Sequence, residues 1–361
     1  MRIATVFSGI GAFETALEKK QIDYEITFAC DTGERCLKQT YEEILQDTKL
    51  LSNKERNEYI KELYSKDKKP NYVKKSYFAN HKIKEENWFE DVRFIDGTKY
   101  KDKIDFFVGG SPCQSFSING KRAGLNDARG TLFYDYARLV KEMQPKVFIY
   151  ENVPGMLSHD KGKTWAVIKD VFQSLGYKTF YSVLNSRDYG IPQDRKRLFV
   201  VGFKNKAINF EFPKPELLLN KSKDLLEENV DSRHYLGEKG FKFVTNPKNC
   251  NRARIGGEII HTEKANQQFN WNGDFVFVPK EKIEKNMEIM NRAYIGNYNG
   301  EIGAIRQLSY RECLRFMGFP DSFKIVVPNI QAYRQAGNSI VVNVLEKIID
   351  SIYKTGVFDE S

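Results

Sequence analysis

Residues 106–117 read Phe106-Phe107-Val108-Gly109-Gly110-Ser111-Pro112-Cys113-Gln114-Ser115-Phe116-Ser117. With Ile104 and Asp105 ahead of it, the apolar run predicts a short buried strand. Gly109-Gly110 ends the run where a backbone can turn sharply and let a ligand come close. Pro112 fixes one dihedral beside the Cys113 sulfur. A thiol just past the carboxyl end of a strand stands where α/β folds place their ligands. The stretch therefore predicts an α/β fold presenting a nucleophile on a stiff turn, followed by a polar loop able to close. A cysteine taken alone is more often a small buried hydrophobe, so the rest of the chain has to decide.

Upstream, residues 2–7 read as a buried strand, and Phe7-Ser8-Gly9-Ile10-Gly11 turns into a helix running to about Lys19. Such a strand–turn–helix start offers free N–H groups to a nucleotide-like ligand. The next strand, Tyr24 to Cys30, ends at Asp31, which is placed to accept hydrogen bonds from a ribose, to cap a helix over Thr32–Tyr41, or both. Asp91-Val92 is a further acid near a strand end. Downstream, Gly120–Gly124 is basic and glycine-flanked, Leu132 to Lys141 is amphipathic, and the strand 146–150 runs directly into Glu151-Asn152-Val153. Gln193-Asp194-Arg195-Lys196-Arg197 leads into a strand over 198–203, and alternation puts Arg195 and Arg197 on one face, able to hold a carboxylate, a phosphate or a base carbonyl.

From about Lys204 the α/β rhythm stops. Residues 204–305 carry short strand-like pieces (241–244, 256–261, 274–278) and many Asn, Gln and Arg between 246 and 272. These side chains read base edges and are equally ordinary loop residues. A capping-box start at Ser309 and a helix after Gln335–Asn343 restore the earlier order.

The length, 361 residues, suits two domains of about 150 residues each. Hydrophobic residues make up 41% of the chain, and no apolar run approaches the roughly 20 residues of a membrane span. The first residues enter a strand directly and lack the pattern of a secretion signal. Five cysteines without paired spacing imply reduced thiols and a cytoplasmic setting. The four histidines, His81, His159, His234 and His261, are scattered and no CxxC occurs, so no metal site is expected. The net charge of +9 suits a polyanionic partner. From Lys49 to Lys84 eleven Lys/Arg face four Asp/Glu, a surplus of seven. That polar segment, 42–88, reads as an insertion with one or two surface helices, either simply solvated or touching a DNA backbone.

These pieces, in this order, resemble the bacterial DNA cytosine methyltransferases that act on ring carbon 5. FSGIGAFE at 7–14, GGSPCQSFS at 109–117, ENV at 151–153, QDRKR at 193–197, RQLSYRECLRFMGFPDSF at 306–323 and QAGNSIVVNV at 335–344 are similar to six family motifs. The resemblance runs from Ile3 to about Leu345 and excludes 42–88 and 204–305.

It implies a Rossmann-like, mostly parallel α/β methyltransferase domain over 1–203 plus 306–361, with a smaller, mainly β target-recognition domain at 204–305. It implies S-adenosyl-L-methionine as methyl donor, S-adenosyl-L-homocysteine as product, and no metal. Phe7, Ser8, Gly9, Ile10, Gly11, Asp31, Asp91, Val92, Gly110, Pro112, Leu132, Asn338 and Ser339 would hold the donor. Cys113 would be the nucleophile, Glu151 the acid on the base, Arg197 the contact to the cytosine carbonyl, and Arg195 a support for the thiolate. Ser117, Asn119 and Lys121, with Arg252, Arg254, Gln267 and Gln268, are the candidates for DNA contact. The expected partner is double-stranded DNA, with a cognate restriction endonuclease acting independently, and the expected state is a monomer. An RNA cytosine methyltransferase on the same scaffold is the competing reading. A non-catalytic regulator would not need Cys113, Glu151, Arg195 and Arg197 together, and a dinucleotide oxidoreductase has no use for the Pro-Cys and Glu-Asn-Val pieces.

The pattern departs from the family in four places. Residues 42–88 are long for their position. Thr32 stands where an aromatic often follows the ribose-binding acid. Ser111 replaces a commoner Phe or Pro, and residues 204–305 lack a clear Thr-Leu pair.

Overall fold

The computed structural model describes residues 1–111, 132–266 and 271–359. The chain divides into two compact units, one of residues 1–184, 196–214 and 345–361, the other of 185–195 and 215–344.

The first unit is built on a sheet of seven strands among the described residues. They are β1 (Arg2–Val6), β2 (Glu25–Cys30), β3 (Trp88–Phe89), β4 (Phe106–Gly109), β5 (Val147–Asn152), β6 (Lys178–Asn185) and, beyond the short β7 (Gln193–Asp194) of the other unit, β8 (Lys196–Phe203). Their order is β3-β2-β1-β4-β5-β8-β6. The pairs β2/β3, β1/β2, β1/β4 and β4/β5 are parallel, and β5/β8 is antiparallel. This is an α/β Rossmann-like sheet, as expected. The strand order reverses direction between β1 and β4, and open sheets bind ligands outside the carboxyl ends at such a switch point.

Register makes that edge specific. Val6 pairs with Cys30 on one side and Gly109 on the other, and Gly109 pairs with Tyr150. One residue further along each strand stand Phe7, Asp31, Gly110 and Glu151, level with one another.

Packing fixes the sheet from both ends of the hydrophobic scale. Helix Leu132–Met143 buries Phe133, Tyr136, Ala137, Val140 and Met143, an i, i+3, i+4 stripe. The Tyr136 ring stacks on Phe107 with centroids 4.7 Å apart, and its hydroxyl donates to Ile149 O at 3.0 Å. Helix Lys163–Ser174 lays Phe172 on Phe148 at 5.0 Å. Each such ring withdrawn from water stabilises the unit by roughly 1.5–3 kcal/mol.

Two local expectations change. No helix covers Thr32–Tyr41. The Asp31 side chain accepts from the Gly33 N–H at 2.8 Å and Glu34 adopts a left-handed φ of 58°, so the chain turns instead. The helix begins at Tyr41, behind a Thr40/Glu43 capping box. The 42–88 segment carries three helices, Tyr41–Asp47, Asn53–Ser65 and Tyr72–Asn80. Lys61, Lys66, Lys69, Lys74 and Lys84 lie beside carboxylates, so much of its surplus charge is balanced locally.

The second unit is mainly β over residues 253–307. Strands β9 (Ala253–Ile255), β11 (Gly273–Pro279), β12 (Gly296–Tyr298) and β13 (Glu301–Gln307) form a sheet in the order β12-β13-β11-β9, and β10 (Ile260–His261) pairs with β7. Leu236, Phe241, Val244, Ala253, Phe275 and Ile305 form its core. Residues 241–244, expected as a strand, lie in helix Glu238–Val244, because Gly240, Phe241 and Val244 are buried together at helical spacing. The boundary expected at 305 falls inside β13, and residues 306–344 group with 215–305 rather than with the Rossmann-like sheet.

Candidate active site

The turn after β1 is strained into shape. Phe7, Gly9 and Gly11 have φ of 54°, 55° and 83°, and a left-handed phenylalanine is uncommon outside functional turns. The turn is held by Ser8, whose hydroxyl donates to Cys30 O at 3.2 Å and accepts from Cys30 N–H at 3.0 Å. Ile10 is buried, and nothing lies within 4 Å of where a Gly9 β-carbon would be. Asp31 faces this opening. Its two oxygens accept one N–H each, from Gly9 at 3.0 Å and from Gly33 at 2.8 Å. A carboxylate has about four acceptor sites, so further lone pairs remain. Burial pushes the Asp31 carboxyl above its ordinary range against the pull of the two N–H groups.

Asp91 is buried at the other side of β2 and more heavily used. It accepts from Arg93 Nη2 at 2.6 Å and Nε at 3.0 Å, from Arg93 N–H at 3.1 Å and from the Tyr64 hydroxyl at 2.8 Å. Val92 opens the short 3-10 turn beside it, with Val92 O accepting from Arg138. Leu132 is half-buried and is the first residue of its helix.

At the ends of β4 and β5 the expected acid meets the expected arginine. Glu151 Oε1 lies 3.1 Å from Arg197 Nε. On the other side, a β-carbon on Gly110 would fall 2.8 Å from Glu151 O and 2.9 Å from Glu151 Oε2, so only glycine fits. Ser111 is anchored twice. Its carbonyl accepts from Asn152 Nδ2 at 2.9 Å and its hydroxyl shares a hydrogen bond with Tyr150 at 2.7 Å. The chain therefore leaves β4 toward Pro112 and Cys113 from a fixed point. Pro112, Cys113, Ser117, Asn119, Lys121, Gln267 and Gln268 lie outside the described residues. Of the other thiols, Cys30 and Cys313 are buried, and burial raises both well above the ordinary thiol range. Such thiols are inert.

In the second unit Arg195 is 3% exposed. Its guanidinium donates to Glu263 O at 2.7 Å, Ser339 O at 2.8 Å and Gly337 O at 3.0 Å. Arg195 and Ser339 are thus brought together, and Asn338 ends the helix Asn329–Asn338 just before them. Arg195 holds backbone here, whereas Arg197 holds a carboxylate. Gln193 reinforces the same place, donating to Phe316 O at 2.8 Å and accepting from Glu263 N–H at 3.0 Å. Arg252 donates to Asn272 at 2.9 Å, and Arg254 meets His261 at 2.7 Å.

Sequence reading passed over Asn152, Gln193 and the four residues of the 42–88 segment that reach this edge, Tyr64, Asn71, Tyr77 and His81. Asn152 and Gln193 lay inside quoted motifs. The other four sat in a lysine-rich run whose composition masked them.

Among the described residues no cluster of three or more His, Cys, Asp or Glu could hold a metal, and no helix is long and apolar enough to cross a membrane.

A Rossmann-like sheet with a glycine turn, a carboxylate pair and a Glu–Arg pair along one edge defines an α/β group-transfer enzyme. The family of C-5 cytosine-specific DNA methylases matches residues 54–354, and the chain belongs to that family: it is a DNA cytosine-5-methyltransferase. It is 38% identical to Type II methyltransferase M.HhaI of Haemophilus parahaemolyticus over 69% of this chain and 75% of that protein. It is 34% identical to Type II methyltransferase M.SsoII of Shigella sonnei over 79% of this chain and 72% of that protein. In fold it is similar to a crystal structure of a Spodoptera frugiperda DNMT2 mutant, at TM-score 0.67, 18% identity and coverage of 98% of this chain and 99% of that one.

Proposed function

We propose that the chain methylates carbon 5 of a flipped-out cytosine in a specific double-stranded DNA sequence, through a covalent adduct at Cys113, in a restriction-modification or orphan methylation system. The grouping of Gly110, just past β4 and two residues before Pro112-Cys113, with Glu151 near the end of β5 and Arg197 at the start of β8, carries this reading. The relatives named above are type II enzymes, and an orphan methyltransferase of Bacillus phage SPR is 27% identical across 100% of this chain.

The donor site fits S-adenosylmethionine: the space at Gly9 is open and Asp31 keeps lone pairs for ribose hydroxyls. Phe7, Ser8, Gly9, Ile10 and Gly11 would shape the turn, Asp91 and Val92 the adenine side, Gly110, Pro112 and Leu132 the wall, and Asn338 and Ser339 the methionine end. When bound, S-adenosylmethionine supplies an electrophilic methyl group on a sulfonium.

Carbon 5 of cytosine is a poor nucleophile. Cys113 thiolate adding at carbon 6 gives carbon 5 enamine character. Glu151 donates a proton to N3 as charge gathers there, and Arg197 holds the carbonyl oxygen. Arg195 would support the thiolate. Carbon 5 would then take the donor's methyl group as its bond to the sulfonium sulfur breaks, leaving S-adenosyl-L-homocysteine. Loss of the carbon-5 proton to a base would expel Cys113 as thiolate and restore the ring, with N3 returning its proton to Glu151. A stacked base is out of reach, so the target must leave the duplex, at a cost of about a few kcal/mol. Residues 204–305 would read the sequence, with Arg252 and Arg254 as candidates.

Incubation with 5-fluorocytosine duplex and the methyl donor should trap an adduct through Cys113, and Cys113→Ser should abolish it. Full methylation by Cys113→Ser overturns the mechanism. Faster methylation of tRNA than of duplex DNA overturns the substrate.

A further inference from the structure

The 42–88 segment reaches the turn and the two acids of the donor site with buried side chains. Tyr64, Asn71, Tyr77 and His81 are all under 10% exposed, inside a segment otherwise rich in solvated lysines. His81 sits against the glycine turn: its Nε2 lies 3.1 Å from Ile10 O and its Nδ1 3.1 Å from Glu18 Oε1. Both partners are acceptors, so both ring nitrogens carry hydrogen in this arrangement. A β-carbon on Gly11 would fall 2.1 Å from His81 Nε2, so ring and turn are fitted to each other. Tyr77 donates to Glu14 Oε1 at 2.5 Å, and Thr5 donates to the same oxygen at 3.0 Å, which ties the first helix of the turn to β1. Asn71 Nδ2 donates to Asp31 O and to Glu90 Oε2, each at 3.0 Å. Tyr64 donates to Asp91 Oδ2 at 2.8 Å, and Arg35 beneath its ring donates to Tyr64 O at 3.2 Å and pairs with Glu90.

We infer that the insertion is a brace for the methyl-donor pocket, with His81 positioning the Gly9–Ile10–Gly11 turn, Asn71 positioning Asp31, and Tyr64 positioning Asp91. The inference rests on the donor-site reading above. It separates two populations in one segment. The exposed lysines are solvated surface, and the buried polar residues set the geometry of a neighbouring site. Burial opposes a charge on His81, but Glu18 and Glu14 outweigh it and raise its pKa, in keeping with a doubly protonated ring.

The test measures S-adenosylhomocysteine affinity by titration calorimetry on the full chain, with KM for S-adenosylmethionine and kcat alongside. Tyr64→Phe removes one hydroxyl and should weaken binding and raise KM by about tenfold, the worth of roughly one hydrogen bond to a charged group, with kcat at saturating donor unchanged. His81→Ala should do the same or more, and His81→Gln, whose amide can still donate to Ile10 O, should recover most of the loss. The exposed pair Lys54→Ala and Lys68→Ala should leave donor affinity untouched. Unchanged affinity in folded Tyr64→Phe and His81→Ala, judged by their melting curves, overturns the brace. A wild-type chain that binds no S-adenosylhomocysteine overturns the donor-site reading itself, and the brace with it.

Discussion

Arg197 Nε lies 3.1 Å from Glu151 Oε1 across the antiparallel pair β5/β8. The carboxylate is therefore gripped on one side by a guanidinium, while its other oxygen faces the bare backbone of Gly110. Arginine suits this place because one guanidinium carries several donors: Nε meets Glu151 Oε1 while Nη1 donates to Lys196 O at 2.7 Å, where a lysine would offer a single point charge. Arg197→Gln should lower kcat by about 10²–10³-fold, as for loss of a donor to a developing charge, and Arg197→Lys should recover only part. Single-turnover methylation of duplex DNA checks this. Wild-type rates in Arg197→Gln would refute the role.

Gly110→Ala places a methyl group within 3 Å of Glu151. The acid must shift, and misplacing a catalytic group by about 1 Å costs about a hundredfold in rate. Gly155→Ala, with nothing within 4 Å of its β-carbon, is the matched control and should keep wild-type kcat. Comparing the two rates, together with their melting temperatures, separates a site effect from a folding effect.

Glu263 sits buried beside Arg195 and Cys313, and burial pushes its carboxyl up to about 8. Its folded value lies above its unfolded one, so the folded state holds a proton that the unfolded state has released between about pH 4.5 and 8. Stability then falls as pH rises through that window. Glu263→Gln should flatten this dependence and stabilise the chain more at pH 8.5 than at pH 5. Urea unfolding at both values measures it, and parallel curves for wild type and variant would contradict the assignment.

Arg306 and Glu312 form a two-bonded pair at 2.7 and 2.8 Å, with side chains 3% and 0% exposed. Removing one member leaves a buried charge without its partner. Arg306→Ala should cost about 3–5 kcal/mol in unfolding free energy. Replacing Arg233 of the exposed Arg233–Asp231 pair in the same unit should leave the unfolding curve unchanged, because water and salt screen that pair.

The edge that matters was legible because its parts are local. A strand, a glycine turn and an acid occur within a few residues of one another, so Gly9, Asp31, Gly110 and Glu151 could be named before any contact was known. Sheet register then did the rest, since it aligns strand ends that are far apart in sequence. The helix expected at 32–41 failed because a side chain, Asp31, captured the Gly33 N–H and diverted the backbone, a competition that propensity alone does not weigh. Residues 241–244 failed because three apolar residues fit either period until their burial partners are known. Tyr64, Asn71 and His81 were invisible for another reason. Their partners lie 27, 40 and 71 residues away, and the lysines around them dominate the local composition.

The sheet unit takes residues from both extremes of the chain. Lys19 and Lys20 pair with Glu346 and Asp350, and Phe358 packs on Phe106 of β4 with centroids 4.9 Å apart. During synthesis at about 5–20 residues per second, that unit stays unfinished until residue 358 has emerged from the ribosome. Residues 215–344 have by then been made in full, so the part of the chain that comes later in the reading order gets the chance to fold first.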